Sequence, residues 1–110
     1  MSDTKANLFR GVPGDPSQEV FTTLSESGAF RLVRIVSTGQ ATPDDEWYDQ
    51  DRAEWVAVLK GRAGLRFADE PDERVLTAGD HLLIAPRRRH RVTWTAAGEE
   101  TVWLALYFDP

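Results

Sequence analysis

From residue 19 onward the chain never sustains apolar residues at the three- and four-residue spacing of an amphipathic helix. It is built of short runs rich in β-branched and aromatic residues, each stopped by a turn signal. The runs cover residues 19–24, 30–36, 54–59, 63–67, 74–76, 81–84, 91–95 and 101–108, and the breaks between them carry Gly28, Gly39, Pro43, Gly61, Pro71, Gly79, Pro86 and Gly98. Many short strands at regular spacing imply an all-β antiparallel sandwich or small barrel. At 110 residues there is room for one domain with one core.

The most informative stretch runs from Trp47 to Gly61. An acidic, aromatic turn leads into an apolar strand, and Glu54 stands at the head of that strand, so its carboxylate is expected to face an interior and to need a partner there. After the Lys60-Gly61 turn, Ala63, Leu65 and Phe67 alternate with Arg62, Gly64 and Arg66, which predicts a β-hairpin across Gly61. The last run alternates Val102, Leu104, Leu106 and Phe108 against Trp103, Ala105 and Tyr107. The expected core is Val56, Val58, Leu65, Phe67, Leu83, Val92, Leu104 and Leu106. Most of the four tryptophans are expected there too, with Trp47 on a rim where an indole can stack on a ligand.

Residues 30–36 place apolar groups on both faces, which predicts either a bulge or cover from the N-terminal arm. That arm, residues 1–19, holds Gly11, Pro13, Gly14 and Pro16 and reads as turns lying across the outside of the sheet, with a short strand at residues 8–10.

Charge and composition narrow the function. A formal net charge of -5 argues against nucleic acid. No apolar run approaches the roughly 18 residues of a membrane span and residues 1–7 lack a secretory apolar segment, so a cytoplasmic location is expected. With no cysteine and only two histidines, a metal would rest on imidazole, carboxylate, amide or hydroxyl groups.

The residues around Glu54 and His90 resemble the cupin family of small jelly-roll barrels. The first family motif, G-x(5)-H-x-H-x(3,4)-E-x(6)-G, is matched at Glu54 and Gly61. The second, G-x(5)-P-x-G-x-x-H-x(3)-N, is matched at Gly79 and His90. The chain departs from both: Trp47 and Asp49 stand where the His-x-His pair belongs, or Tyr48 and Gln50 if the spacer is one shorter. Ala85, Arg87 and Trp94 replace the proline, glycine and asparagine of the second motif.

The resemblance implies a double-stranded β-helix over residues 35–110, preceded by an arm and leading strands over 1–34, and a homodimer. It also implies a divalent metal, Zn, Mn, Fe or Ni, held by Glu54, His90 and Asp49, set against a metal-free Glu54–His90 hydrogen bond. The expected ligand is a small molecule, anionic if Arg87 or Arg88 turns over the barrel mouth, with Trp47, Tyr48 and Gln50 as further contacts. Asp44, Asp45 and Glu46 are the expected competitors for those arginines, and His81 is read as a surface histidine. Three functions remain open: a small-molecule-binding barrel, a metal-dependent oxygenase, isomerase or lyase, and a structural or sensor module with a filled barrel.

Overall fold

The computed structural model describes residues 5–12 and 17–110. The β-branched and aromatic runs become eight strands: β1 Val20–Glu26, β2 Phe30–Ser37, β3 Ala53–Lys60, β4 Arg62–Phe67, β5 Arg74–Thr77, β6 His81–Ile84, β7 His90–Thr95 and β8 Thr101–Phe108. They pair antiparallel in a five-stranded sheet, β1-β2-β8-β3-β6, and a three-stranded sheet, β5-β4-β7. The fold is all-β, with no helix among the described residues and none long and apolar enough to cross a membrane.

The expected hairpin across Gly61 does not form, because β3 and β4 lie in different sheets. Gly61 is instead the corner by which the chain leaves one sheet for the other. It has φ +86°, and a Cβ there would sit 2.7 Å from Thr101 Cα and 2.8 Å from the Glu100 carbonyl oxygen. Alternating residues on both sides of a glycine look the same in sequence whether the strands pair or part.

The two sheets close on Val33, Ile35, Val56, Val58, Ala63, Leu65, Phe67, Leu76, Ile84, Trp103 and Ala105, with Leu82, Val92 and Tyr107 packed against them. Three expected core residues are misplaced. Leu83 is 62% exposed, because Leu82 and Ile84 take the inner face of β6. Leu104 and Leu106 lie on the outer face of β8, since Trp103 pairs with Ile35 and Val58, and Ala105 with Val33 and Val56, all of them core. The Trp103 indole reaches inside because its N–H finds the Ser37 hydroxyl at 3.1 Å. Trp103 is also the one tryptophan fully buried; Trp47, Trp55 and Trp94 are half-buried.

Strand β2 has its expected cover, and the bulge falls on its neighbour, where β1 shifts register between Thr23 and Ser25. Arg34, 5% exposed, points outward from β2 and donates to the carbonyls of Arg10 at 2.7 Å, Gly11 at 3.2 Å and Leu8 at 3.5 Å. Residues 8–10 are not a strand but a turn, fixed by Arg10 N–H on the Asn7 carbonyl and Phe9 N–H on the Asn7 side chain. The expected turns at Pro13, Gly14 and Pro16 lie outside the described residues. The boundary expected at residue 34 falls inside β2, so the leading strands and the barrel share one sheet.

Candidate functional site

Between the sheets lies a cavity of about 110 Å³ whose polar groups converge from four places in the sequence. Glu54 enters from β3 and His90 from β7, and the two are brought together as the motifs imply: His90 Nε2 is 3.4 Å from Glu54 Oε1, with both side chains buried. Tyr48 is held beside them by a two-bond bridge, its N–H to the His90 carbonyl at 2.7 Å and the His90 N–H to its own carbonyl at 3.1 Å. The phenol ring stacks on the imidazole at 5.5 Å between centroids. Gln50, two residues on, lines the same cavity. The shorter spacer is therefore the register that describes this barrel, with Tyr48 and Gln50 facing inward.

Trp47 and Asp49 are not among the residues lining the cavity. Asp49 forms an ion pair with Arg87, Oδ1 to Nε at 2.9 Å, and Trp47 lies under the guanidinium groups of Arg91 and Arg89, 5.6 and 5.8 Å from its ring. Nor do the expected arginines reach inward. Arg87 also pairs with Asp51 at 2.8 Å, while Arg88 binds Asp69 at 3.0 Å and Glu70 at 3.2 Å and covers the Phe67 ring at 3.5 Å. Of the expected competitors, only Asp44 engages an arginine of this loop, Arg91. His81 is exposed and accepts from the Trp55 indole at 3.3 Å.

Arg87 occupies the motif's glycine position and keeps a glycine's conformation, with φ +66°. A left-handed arginine costs about 1–2 kcal/mol. It is held there by its N–H on the Gln50 carbonyl at 2.7 Å and by the two aspartates.

The proton arrangement follows from the partners. His90 Nδ1 lies 2.9 Å from the Arg88 carbonyl oxygen, which can only accept, so Nδ1 carries hydrogen and Nε2 faces Glu54. With Nδ1 carrying hydrogen, Nε2 of the neutral ring is an acceptor facing an acceptor oxygen, and neither satisfies the other. The 3.4 Å approach is too poorly made to satisfy both atoms, and Glu54 Oε1 has no hydrogen-bond partner among the described residues.

Two polar residues of the cavity, and one apolar residue at its edge, carried no motif. Glu19, just ahead of β1, lines it and accepts from the Ser37 hydroxyl at 2.5 Å, extending the Trp103–Ser37 contact into a short chain. Tyr107 enters from β8, where its alternation with Trp103 and Ala105 was the available signal. Burial, then the Glu54 charge, pushes the Tyr107 phenol well above the usual range. Tyr48 is raised too, by burial first and Glu19 second. The third is Phe21, an exposed β1 residue at the cavity edge.

The donor set does not fit a bound divalent metal. Structural and catalytic sites draw on three or four protein ligands, whereas no group of three or more His, Asp or Glu side chains suited to a metal occurs among the described residues, and the two other motif positions beside Glu54 and His90 hold Gln50, a neutral amide, and Tyr48, a phenol raised further from ionisation, both weak ligands. The expected third ligand, Asp49, is taken by Arg87.

The chain aligns with the crystal structure of a candidate mannose-6-phosphate isomerase from Ralstonia eutropha JMP134 over 97% of its own length and 99% of the other's, at 42% identity and a TM-score of 0.92. A cupin superfamily protein from Desulfitobacterium hafniense DCB-2 matches at 15% identity and a TM-score of 0.73, covering 90% and 84% of the two chains. An RmlC-like cupin family protein with a double-stranded β-helix fold, from Methanocaldococcus jannaschii, matches at 12% identity and a TM-score of 0.68, covering 84% and 81%. The latter two likenesses concern the fold alone. No family model and no curated protein matches the chain.

Proposed function

The chain belongs to the cupin superfamily, and on that footing we propose that it binds a small, hydrogen-bond-donating molecule inside its barrel through Glu54 and His90, without a metal ion. The observation that carries this reading is the unsatisfied Glu54 Oε1. A carboxylate oxygen buried without a donor is costly, and an amine, hydroxyl or amide of a ligand in the 110 Å³ cavity supplies the missing bond. Tyr48, Tyr107 and Gln50 add donors and acceptors around it, and Val56, Leu65 and Val92 supply the apolar wall. Trp103 occupies part of the interior but leaves the cavity open, which favours a binding barrel over a filled one.

A second, catalytic reading draws on the imidazole and carboxyl groups of His90 and Glu54 lying 3.4 Å apart in the cavity, because an isomerisation moves a proton off one atom and onto another and both groups can carry one. The Ralstonia protein's description as a candidate sugar-phosphate isomerase agrees with that chemistry. The homodimer and the cytoplasmic location belong to the same proposal. Leu83, exposed beside the Trp55–Leu106 pair it continues across the outer face, is the surface a second copy would cover, and sedimentation of the protein with and without Leu83→Glu tests it.

The direct test is a panel of small alcohols, amines and amides followed by NMR on untagged protein, with metal analysis of the same sample. Members of the panel are expected to bind wild type and to be lost in Glu54→Leu, with metal far below one ion per chain. A stoichiometric metal that disappears in His90→Ala, or equal binding to Glu54→Leu, would overturn the proposal.

A further inference from the structure

Beside the cavity, and sharing Phe21, Gln50 and Tyr107 with it, is an open groove of about 720 Å³. Its charged walls are Arg31, Arg52, Asp51 and Asp109, and most of that charge is already matched. Asp109 accepts from Arg52 Nε at 3.1 Å and Asp51 from Arg87 at 2.8 Å. Arg31 is different: no acid lies within ion-pair distance of it among the described residues, and its recorded bond is Nε to the Thr23 hydroxyl at 3.1 Å. Glu26 faces it across the β1–β2 ladder without closing a pair.

The register fixes where this guanidinium points. Arg31 pairs with Tyr107 across β2 and β8, and Tyr107 pairs with Glu54 across β8 and β3, so the three side chains stand on one face in one row. Two strand spacings separate Arg31 from Glu54, about 10 Å between their backbones. Tyr107 lies between them and belongs to both hollows. The row therefore presents, at the open end, a cation with no acid partner among the described residues, an aromatic wall in the middle and an unsatisfied acceptor at the closed end.

We propose that the groove is a second subsite in which Arg31 binds the carboxylate of a short hydroxy or amino acid whose hydroxyl or amine reaches Glu54. This rests on the reading of the cavity as a binding site and adds the ligand's second group. A carboxylate suits one guanidinium whose Nε is already engaged, because the terminal Nη pair remains for a two-point contact. A phosphate dianion would leave half its charge unmatched beside Asp51 and Asp109. The anion-binding arginine is thus Arg31, not the Arg87 or Arg88 that the sequence brings next to His90.

The test uses 6-hydroxyhexanoate and 4-hydroxybutanoate with their methyl esters, titrated by NMR into wild type, Arg31→Gln and Glu54→Leu. Wild type is expected to bind at least one acid roughly tenfold more tightly than its ester. Arg31→Gln is expected to bring the acid down to the ester's affinity while leaving the ester unchanged, and Glu54→Leu to weaken both. Arg31 is exposed, so its variant should melt as wild type does, which separates lost contact from lost fold. Equal affinity of acid and ester in wild type, or an acid preference that survives Arg31→Gln, overturns the Arg31 subsite and leaves the cavity reading standing. Failure of every acid and ester to bind wild type overturns both.

Discussion

Replacing His90 with alanine tests the central pair. The substitution leaves Glu54, 6% exposed, with no charge partner, and breaking a buried pair in this way costs about 3–5 kcal/mol. The 3.4 Å separation is looser than the 2.7–2.9 Å of a well-made charged bond, which argues for the lower end, about 3 kcal/mol. Loss of the Tyr48 stack and of the Phe67 contact at 6.2 Å adds about 0.5–1.5 kcal/mol. The expected total is about 3.5–4.5 kcal/mol, a fall in Tm of roughly 15–25 °C for a domain near this size. Adding Glu54→Leu to His90→Ala removes the stranded charge and should restore about 2 kcal/mol. Guanidinium unfolding of the two single variants and the double, followed by tryptophan fluorescence, gives the coupling directly. Effects that simply add, to within about 0.5 kcal/mol, would show that the two side chains do not depend on one another.

Four further outcomes are expected. Gly61→Ala should lose about 2–4 kcal/mol in denaturant melts, because a Cβ there combines a left-handed backbone with contact against Thr101 and Glu100; a loss under 0.5 kcal/mol would deny the tight corner. Phe67→Ala should cost about 3–5 kcal/mol and Leu83→Ala no more than about 0.5 kcal/mol, and comparable losses would mean the inner face of β6 has been misassigned. Arg87→Val should be about 2 kcal/mol less stable than Arg87→Gly, since both lose the aspartates but only valine keeps the left-handed strain; equal midpoints would remove the strain from the account. Both tyrosines are raised, so the stabilisation they give is present below pH about 10 and lost as pH rises through their native values. Absorbance at 295 nm should show the Tyr107 phenolate absent near pH 10 while the fold persists, with half-exposed Tyr48 ionising before it, and early ionisation of Tyr107 would contradict its burial.

Much of this was written where local pattern suffices. The strand runs and turns are visible because β-branched clusters and glycines act over a few residues, and the two motif residues that face one another, Glu54 and His90, each lie in a recognisable frame. What stayed hidden depends on partners far along the chain. The inner face of β8 is chosen by its register against β2 and β3, and a strand whose two faces are both apolar does not announce which one turns in. Glu19 enters the cavity from a segment with no periodicity, and Arg88 is drawn away by Asp69 and Glu70, which belong to the β4–β5 turn. Arg31 carries no signal in the sequence, because a charge within a strand reads as solvated until its neighbours are known to be engaged elsewhere.

The three carbonyls that close on Arg34 bear on how this protein can be cut. A turn-rich N-terminal tail invites removal, and a chain begun at Glu19, the cavity residue just ahead of β1, would keep every strand and the cavity lining. It would also uncover a guanidinium that now meets Leu8, Arg10 and Gly11, and the outer side of β2 would present to water, and to other molecules, a surface shaped for a peptide backbone. A trimmed protein should therefore capture stray extended segments, its own severed tail among them, and a synthetic peptide of residues 5–12 added back should bind and raise its melting temperature.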